Sequence, residues 1–477
     1  MRVLHISPEC YPITKVRCTA KVVEKLATQQ NKLKCDSAVV IPYYDNLYAK
    51  NSDFVTVYES KVNLDQKTHK ALVYKVRNQT DSLGFDLYQV KIEGLLDREN
   101  VHGYEDDIER FIAFQKVVLD WLLQSDLKPK AIHCHDSQTG LTPFMLSQCY
   151  KYESLKNIPT IFTIHNIDNQ GEFSFDKLSY LPKYNLNKSE ILEWDFTINP
   201  MAAGIKSCWK YTTVTPNFMN KLPYEATGLD SLFDNERNKG VGILNGIDAN
   251  VWNPSTDKMI AENFDSRTVE IGKKANKLAL CEKFDLDPKK PLIAFVGRLV
   301  YDKGADVMVD FLDRSLRAYN INILILGCGD SRAESSLKEL KEKYPHRYNT
   351  LIGFDETVSH LIYAGADFLI MPDRFEPCVL NQFFALRYGT IPLVRSKESL
   401  KSIEENTGFE ILHEHADVED VALAISRANE LFYDNKKFER IRKEIMNIDS
   451  SWENAASEYI ELYDLVYQQK YLTEKSY

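Results

Sequence analysis

Runs of mixed Val, Ile, Leu and Phe recur along the first half of the chain, separated by stretches whose apolar residues fall at helical spacing. "MRVLHIS" at 1–7 reads as a buried strand and "TAKVVEKLATQQNKL" at 19–33 as the helix that follows it. Further strands are predicted at 37–42 (SAVVIP), 130–135 (KAIHCH), 159–165 (PTIFTIH) and 211–215 (YTTVT). Strands and helices in alternation predict a parallel sheet covered on both faces. Between about 54 and 92 the pattern breaks: "DFVTVYESKV", "KALVYKV" and "GFDLYQVKI" follow one another without helices, which predicts an antiparallel excursion. The helix "DDIERFIAFQKVVLDWLLQS" at 106–125 restores the alternation.

A second series starts after "NPSTDK" (253–258), whose composition reads as a linker. Short apolar strands at 292–297, 322–327, 366–372 and 390–395 are each followed by a helical stretch. The predicted fold is therefore α/β, with two Rossmann-like doubly wound domains facing a central cleft, at 1–250 and 251–450. Residues 451–477, with aromatic and aliphatic positions at helical spacing, are expected to form a helix packing back on the first domain.

A chain of 477 residues is too long for one hydrophobic core, in keeping with two large domains. With 59 Lys and Arg against 69 Asp and Glu the formal charge is −10, which argues against nucleic acid or an anionic membrane as partner. Nine cysteines form no C-x-x-C pair, so neither a disulfide framework nor a zinc ribbon is indicated, and a reducing cytoplasm is the expected compartment. No apolar run approaches the ~18 residues a membrane span requires.

Polar residues gather where the predicted strands end. In "VGRLVYDKGAD" (296–306), Arg298 and Lys303 follow a strand, where open parallel sheets bind ligands, and both are cations a diphosphate leaving group would need. In a loop the same residue types are commonly solvated surface charges. "MPDRFEPCVLNQFFALRYGTIPLV" (371–394) places Glu376 and Cys378 between a strand and a helix beginning around Val379. Its carboxylate is suited to sugar hydroxyls and its helix end to phosphate, although Arg374 and Glu376 could equally form a local ion pair.

"HCHDSQTG" (133–140) and "TIHNIDNQGEF" (163–173) bring His135, Asp136 and His165 toward one edge. These are reasonable metal ligands, but no local zinc spacing is present and no metal is expected. "GILNGIDANVWNP" (242–254) reads as a domain-crossing hinge, and "ILGCGD" (325–330) is a weak nucleotide signal. The first strand-to-helix turn, "YPITKVRCTAKVV" (11–23), lacks the glycine that phosphate turns use; the first glycine of the chain is Gly84.

Taken in order, these stretches resemble the bacterial glycogen synthase and plant starch synthase family, retaining glucosyltransferases with two Rossmann-like domains. The matching positions run from Glu9 and Lys15 through "HCHD..TG", "TIHN...QG", "ILNGID..VWNP.TD", "GRL...KG.D", "LGCGD" and "RFEPC.L.Q..ALRYGTIPLVR" to "SWENAASEY". The resemblance implies ADP-glucose as donor, an α-1,4-glucan as acceptor and no cofactor. It assigns catalytic roles to Asp136, His165, Arg298, Lys303 and Glu376, and donor binding to Lys15, Asn245, Gly246, Tyr363, Cys378 and Leu380. The first domain would take the acceptor and the second the sugar nucleotide.

The chain departs from the family at several loops. Its Lys-x-Gly-Gly turn is Lys15-Val16-Arg17-Cys18, with Lys21 where an acidic residue is usual. Ser137-Gln138 replaces Trp-His, Val379 replaces a glycine, and "SKES" (396–399) replaces Thr-Gly-Gly. Two other readings therefore stay open on the residues alone: a catalytically impaired homologue that binds glucan or nucleotide as a scaffold, and a related glycosyltransferase with another donor.

Overall fold

The computed structural model describes residues 1–14, 16, 18–77, 83–374, 380–395, 411–413 and 415–474, with side chains described for all of these except 411, 412 and 471–474. The chain forms two compact units, Met1–Asn245 with Trp452–Tyr477, and Gly246–Ser451.

The first unit is built on β1 (Arg2–Ile6), β2 (Asp36–Pro42), β3 (Asp53–Leu64), β4 (Lys67–Arg77), β5 (Asp86–Ile92), β6 (Ala131–His135) and β7 (Thr160–Ile164). A two-residue hairpin, β8 (Glu193–Trp194) and β9 (Thr197–Ile198), precedes β10 (Lys210–Thr213) and β11 (Gly240–Gly242). Nine strands form one sheet in the order β11-β10-β7-β6-β1-β2-β5-β4-β3. Pairing is parallel from β11 to β5, and β4 and β3 add on antiparallel as the excursion predicted between 54 and 92. The chain builds outward from β1 through β2 on one side and returns to lay β6 against β1 on the other. That reversal opens the crevice in which parallel sheets bind ligands.

The helix Trp452–Glu474 belongs to this unit although it follows the second unit in sequence. Trp452, Ala455, Ala456, Tyr459, Leu462, Tyr463 and Val466 are buried at helical spacing in one cluster with Val3, Val22, Leu26, Ile161 and Ile243. Burial of each large apolar side chain is worth about 1.5–3 kcal/mol. A chain ending at Ser451 should therefore lose stable folding of the first unit, seen as loss of amide-exchange protection in β1, β6 and β7.

The second unit carries β12 (Leu292–Leu299), β13 (Asn322–Gly329), β14 (Tyr348–Ile352), β15 (Phe368–Met371), β16 (Ile391–Arg395) and β17 (Ile411–His413). Their order is β14-β13-β12-β15-β16-β17 and every pair is parallel, with the reversal falling between β12 and β15. The segment 253–258 is not a solvated linker. Asp257 is 5% exposed, pairs with His360 at 2.7 Å and accepts from the Tyr388 hydroxyl. Its linker-like composition instead serves local Asx turns, in which Asn253 accepts from the Ser255 amide and Asp257 from that of Met259.

Candidate active site

Each unit concentrates polar side chains at the carboxyl ends of the strands that flank its reversal point. In the first unit Asp136 follows β6 with φ of 60°, a backbone region that few non-glycine residues adopt. Its Oδ1 accepts from the backbone amides of His165 (2.8 Å) and Asn166 (3.4 Å), and its Oδ2 from the Thr19 hydroxyl (2.9 Å). One carboxylate thus ties the ends of β6 and β7 to the first turn of the helix Cys18–Lys32. With three donors on roughly four lone-pair sites, it retains capacity for one more.

His135, Asp136 and His165 are brought together as the strand pattern suggested. The His135 and His165 rings bond through Nδ1 and Nε2 at 3.0 Å, and both are buried. Burial holds the His165 ring below its ordinary pKa, against the opposing pull of Asp136. Among the described residues the His165 Nδ1 has no hydrogen-bond partner.

Beside this group lies a cavity of about 120 Å³ bounded by Phe111, Ser137, Gln138, Leu141, Asn169 and Phe173. Ser137 Oγ and Gln138 Oε1 are buried without protein partners among the described residues, so both are available to a polar ligand. Gly140, closing the same turn, is required by packing: a Cβ there would stand 2.2 Å from the Pro200 carbonyl oxygen.

His5, a residue the sequence reading did not single out, joins the group from β1. His5, His133 and His135 present ligand nitrogens within 4.8 Å of one another. All six of their ring nitrogens are already bonded, to one another or to Gln30, Tyr463, Thr163 and His165. The available signal was a histidine at inward-facing positions of two neighbouring strands, with His5 in register with His133.

In the second unit Arg298 lies near the end of β12, exposed, and its side chain has no ion pair among the described residues. Lys303 ends the 3₁₀ turn Tyr301–Lys303 and pairs with the buried Asp373, just past β15, at 3.2 Å. Gly304 then adopts φ of 68°, where a Cβ would meet the Pro372 carbonyl oxygen at 2.6 Å, so the β12 and β15 loops approach more closely than a side chain permits. Gly304→Ala is expected to displace Lys303 and to destabilise the unit by about 1–3 kcal/mol, measurable by urea unfolding.

The ion pair considered for Arg374 and Glu376 involves a carboxylate outside the described residues; among those described, Arg374 pairs with Asp306. Its guanidinium grips Asp306 with both nitrogens, at 2.6 and 2.9 Å, because the fork of Arg374 matches a carboxylate presented in the first turn of the helix Ala305–Ala318. Tyr363 is 1% exposed, donates from its hydroxyl to Asn381 Oδ1 at 3.1 Å and meets Trp252 edge-on in the core. Leu380 opens the helix Leu380–Arg387. The two glycines of "LGCGD" serve strand contact, since a Cβ at Gly327 or Gly329 would strike the backbone of β12.

Asn245 ends the first unit, buried, its backbone amide donating to Val214 while its Oδ1 is unpartnered among the described residues; Gly246 begins the second. Lys15, Arg17, Glu376, Cys378, Val379 and 396–399 lie outside the described residues. The Glu9 carboxylate accepts from the Val16 amide at 2.8 Å.

Two α/β units, each with polar residues at the carboxyl ends of its parallel strands, suit a glycosyltransferase, and the chain matches two such families. "Starch synthase catalytic domain" matches residues 2–235 and "Glycosyl transferases group 1" residues 277–445. The glycogen synthase of Flavobacterium johnsoniae is 46% identical over 475 residues, covering 98% of this chain and 100% of that one. That of Alkaliphilus metalliredigens is 33% identical over 487 residues, covering 97% and 99%. The catalytic domain of starch synthase IV from Arabidopsis thaliana, solved bound to ADP and acarbose, superposes with a TM-score of 0.79 at 27% identity, covering 98% and 99%. The chain belongs to the glycogen synthase and starch synthase family of glycosyltransferases.

Proposed function

We propose that the chain lengthens an α-1,4-glucan by moving glucose from ADP-glucose to its non-reducing end with retention of anomeric configuration. The reading rests on one observation above the others. Arg298, an exposed guanidinium with no ion pair among the described residues, lies near the end of β12, and Lys303 follows in the next turn, at the strand that borders the reversal point of a parallel sheet. Support for ADP comes from starch synthase IV, which was solved with that nucleotide.

In this reading the bond between the anomeric carbon and the β-phosphate oxygen breaks while Arg298 and Lys303 take up the charge developing on the diphosphate. The acceptor hydroxyl oxygen bonds the anomeric carbon from the same face, and its proton passes to the leaving phosphate. His165 Nδ1 accepts from a hydroxyl of the donor sugar, and Ser137 and Gln138 meet acceptor hydroxyls. Asp136 positions these groups. By position in the family, Glu376 holds the glucose, and Lys15, Asn245, Gly246, Tyr363, Cys378 and Leu380 surround the donor. No described helix is long and apolar enough to cross a membrane, and the eight cysteines among the described residues are free, which suits work in the cytoplasm.

Purified protein given ADP-glucose or UDP-glucose, each with and without glycogen, tests the donor. Glycogen-dependent release of ADP with little turnover of UDP-glucose is expected. Preference for UDP-glucose would overturn the donor assignment, and turnover of neither would overturn the reaction.

A further inference from the structure

The unpartnered nitrogen of His165 is the end of a hydrogen-bonded series that crosses the sheet of the first unit. His165 Nε2 meets His135 Nδ1 at 3.0 Å, His135 Nε2 meets His5 Nδ1 at 3.0 Å, and His5 Nε2 meets Gln30 Oε1 at 2.9 Å. Gln30 lies on the helix Cys18–Lys32, fully buried. Its oxygen also accepts from the Ser37 hydroxyl at 2.6 Å, and its nitrogen donates to the Tyr463 hydroxyl at 3.0 Å. Tyr463, on the helix Trp452–Glu474, also meets His133 Nδ1 at 2.7 Å, and His133 Nε2 meets the Thr163 hydroxyl.

Burial lowers the pKa of every imidazole in the series, His5 to about 4, so all are neutral near pH 7. A neutral imidazole has one N–H and one lone pair, and each contact between two rings needs one of each. One fixed end therefore sets every tautomer. The Gln30 oxygen can only accept, so His5 carries its proton on Nε2 and accepts at Nδ1. His135 must then donate from Nε2 and accept at Nδ1, and His165 must donate from Nε2. What remains is a bare lone pair on His165 Nδ1, 2% exposed at the residue level and unbonded among the described residues.

We propose that Gln30 is a positioning residue for glucosyl transfer: acting through His5 and His135, it fixes His165 as the tautomer whose Nδ1 accepts from a hydroxyl of the bound sugar. The role rests on the reading of His165 as a sugar contact given above. The amide is held from both sides, by Ser37 and His5 at its oxygen and by Tyr463 at its nitrogen. Reversing it would reverse the series and leave His165 Nδ1 carrying a proton. A ring that donates where it should accept cannot take the same hydroxyl without that hydroxyl also reversing. Tyr463 thereby gives the terminal helix a part in the chemistry besides its apolar packing.

The test combines nitrogen NMR of the histidine-labelled full chain with kinetics on ADP-glucose and glycogen. In the native protein His165 Nδ1 should be unprotonated and Nε2 protonated. Gln30→Met nearly keeps volume but removes the amide donor and leaves only a weak sulfur acceptor. It should mix the His165 tautomers and lower kcat/KM about tenfold, the loss of roughly one net hydrogen bond. Gln30→Glu still accepts from His5 and should recover most of that loss. Tyr463→Phe keeps the ring and removes the anchor of the amide nitrogen; it should shift the same resonances in the direction of Gln30→Met.

A protonated His165 Nδ1 in the native protein would overturn the proposal. So would a tautomer unchanged in both Gln30→Met and Tyr463→Phe. Resonances that move while kcat/KM holds would overturn the sugar contact and with it the positioning role. A native chain that transfers no glucose would overturn the glucosyltransfer reading, while the nitrogen resonances would still decide the direction of the series.

Discussion

Arg298→Ala is expected to lower kcat by about 10²–10³-fold, the usual effect of removing one preorganised charge-stabilising group from a transition state. The folded protein should scarcely register the change. Arg298 is exposed, and its side chain forms no ion pair among the described residues, so its loss strands no buried partner among them. Surface substitutions of this kind stay within about 0.5 kcal/mol of the parent in stability. Lys303 differs, because removing it also strands the buried carboxylate of Asp373. Arg298 is therefore the cleaner probe: ADP release measured beside a thermal melt should show activity falling while the melting temperature holds. A solvated surface arginine would leave both unchanged.

Asp367→Ala is expected to destabilise the second unit by about 3–5 kcal/mol, the range for breaking a buried ion pair. Asp367 sits just before β15 with its side chain almost wholly buried. It takes Lys277 Nζ and Arg442 Nη2 at 2.6 Å each, and the Leu292 amide at 2.8 Å. Its loss leaves two cations facing each other in the interior beside the strands that carry the Arg298 and Asp373 loops. Burial alone would raise the Asp367 pKa; Lys277 and Arg442 outweigh it and hold the folded pKa below the ordinary carboxylate value. A depressed folded pKa stabilises the unit above the unfolded pKa of about 3.9, and that contribution is lost as pH falls through the lower folded value. Amide exchange of β12 and β15 at neutral pH measures the opening free energy. Replacing Asp367, Lys277 and Arg442 together by apolar residues should restore most of it.

The alternation of apolar strands and helices made the parallel sheets legible, along with the antiparallel insertion at 54–92 and the placing of Asp136, His165, Arg298 and Lys303 at strand ends. Sheet order was not legible, since local pattern does not say which strands pair, and the reversal points that mark the candidate sites depend on that order. The histidine series was hidden for the same reason. His133 and Tyr463 touch across 330 positions of sequence, and Gln30 carries no mark in a helix that reads as ordinary. Composition also misled at 253–258, where the residues that build Asx turns are those of a linker. Nor does local sequence show that Arg374 bonds Asp306, 68 positions away.

A chain that departs from its family at Lys15–Lys21, Ser137-Gln138, Val379 and 396–399 is expected still to transfer glucose. Incorporation of labelled glucose from ADP-glucose into glycogen, run beside Glu376→Ala, decides this. Transfer by the native chain with at least a hundredfold loss in Glu376→Ala, on the order expected for removing a transition-state contact, is the predicted result. Equal incorporation by the two proteins, or none by either, would contradict it.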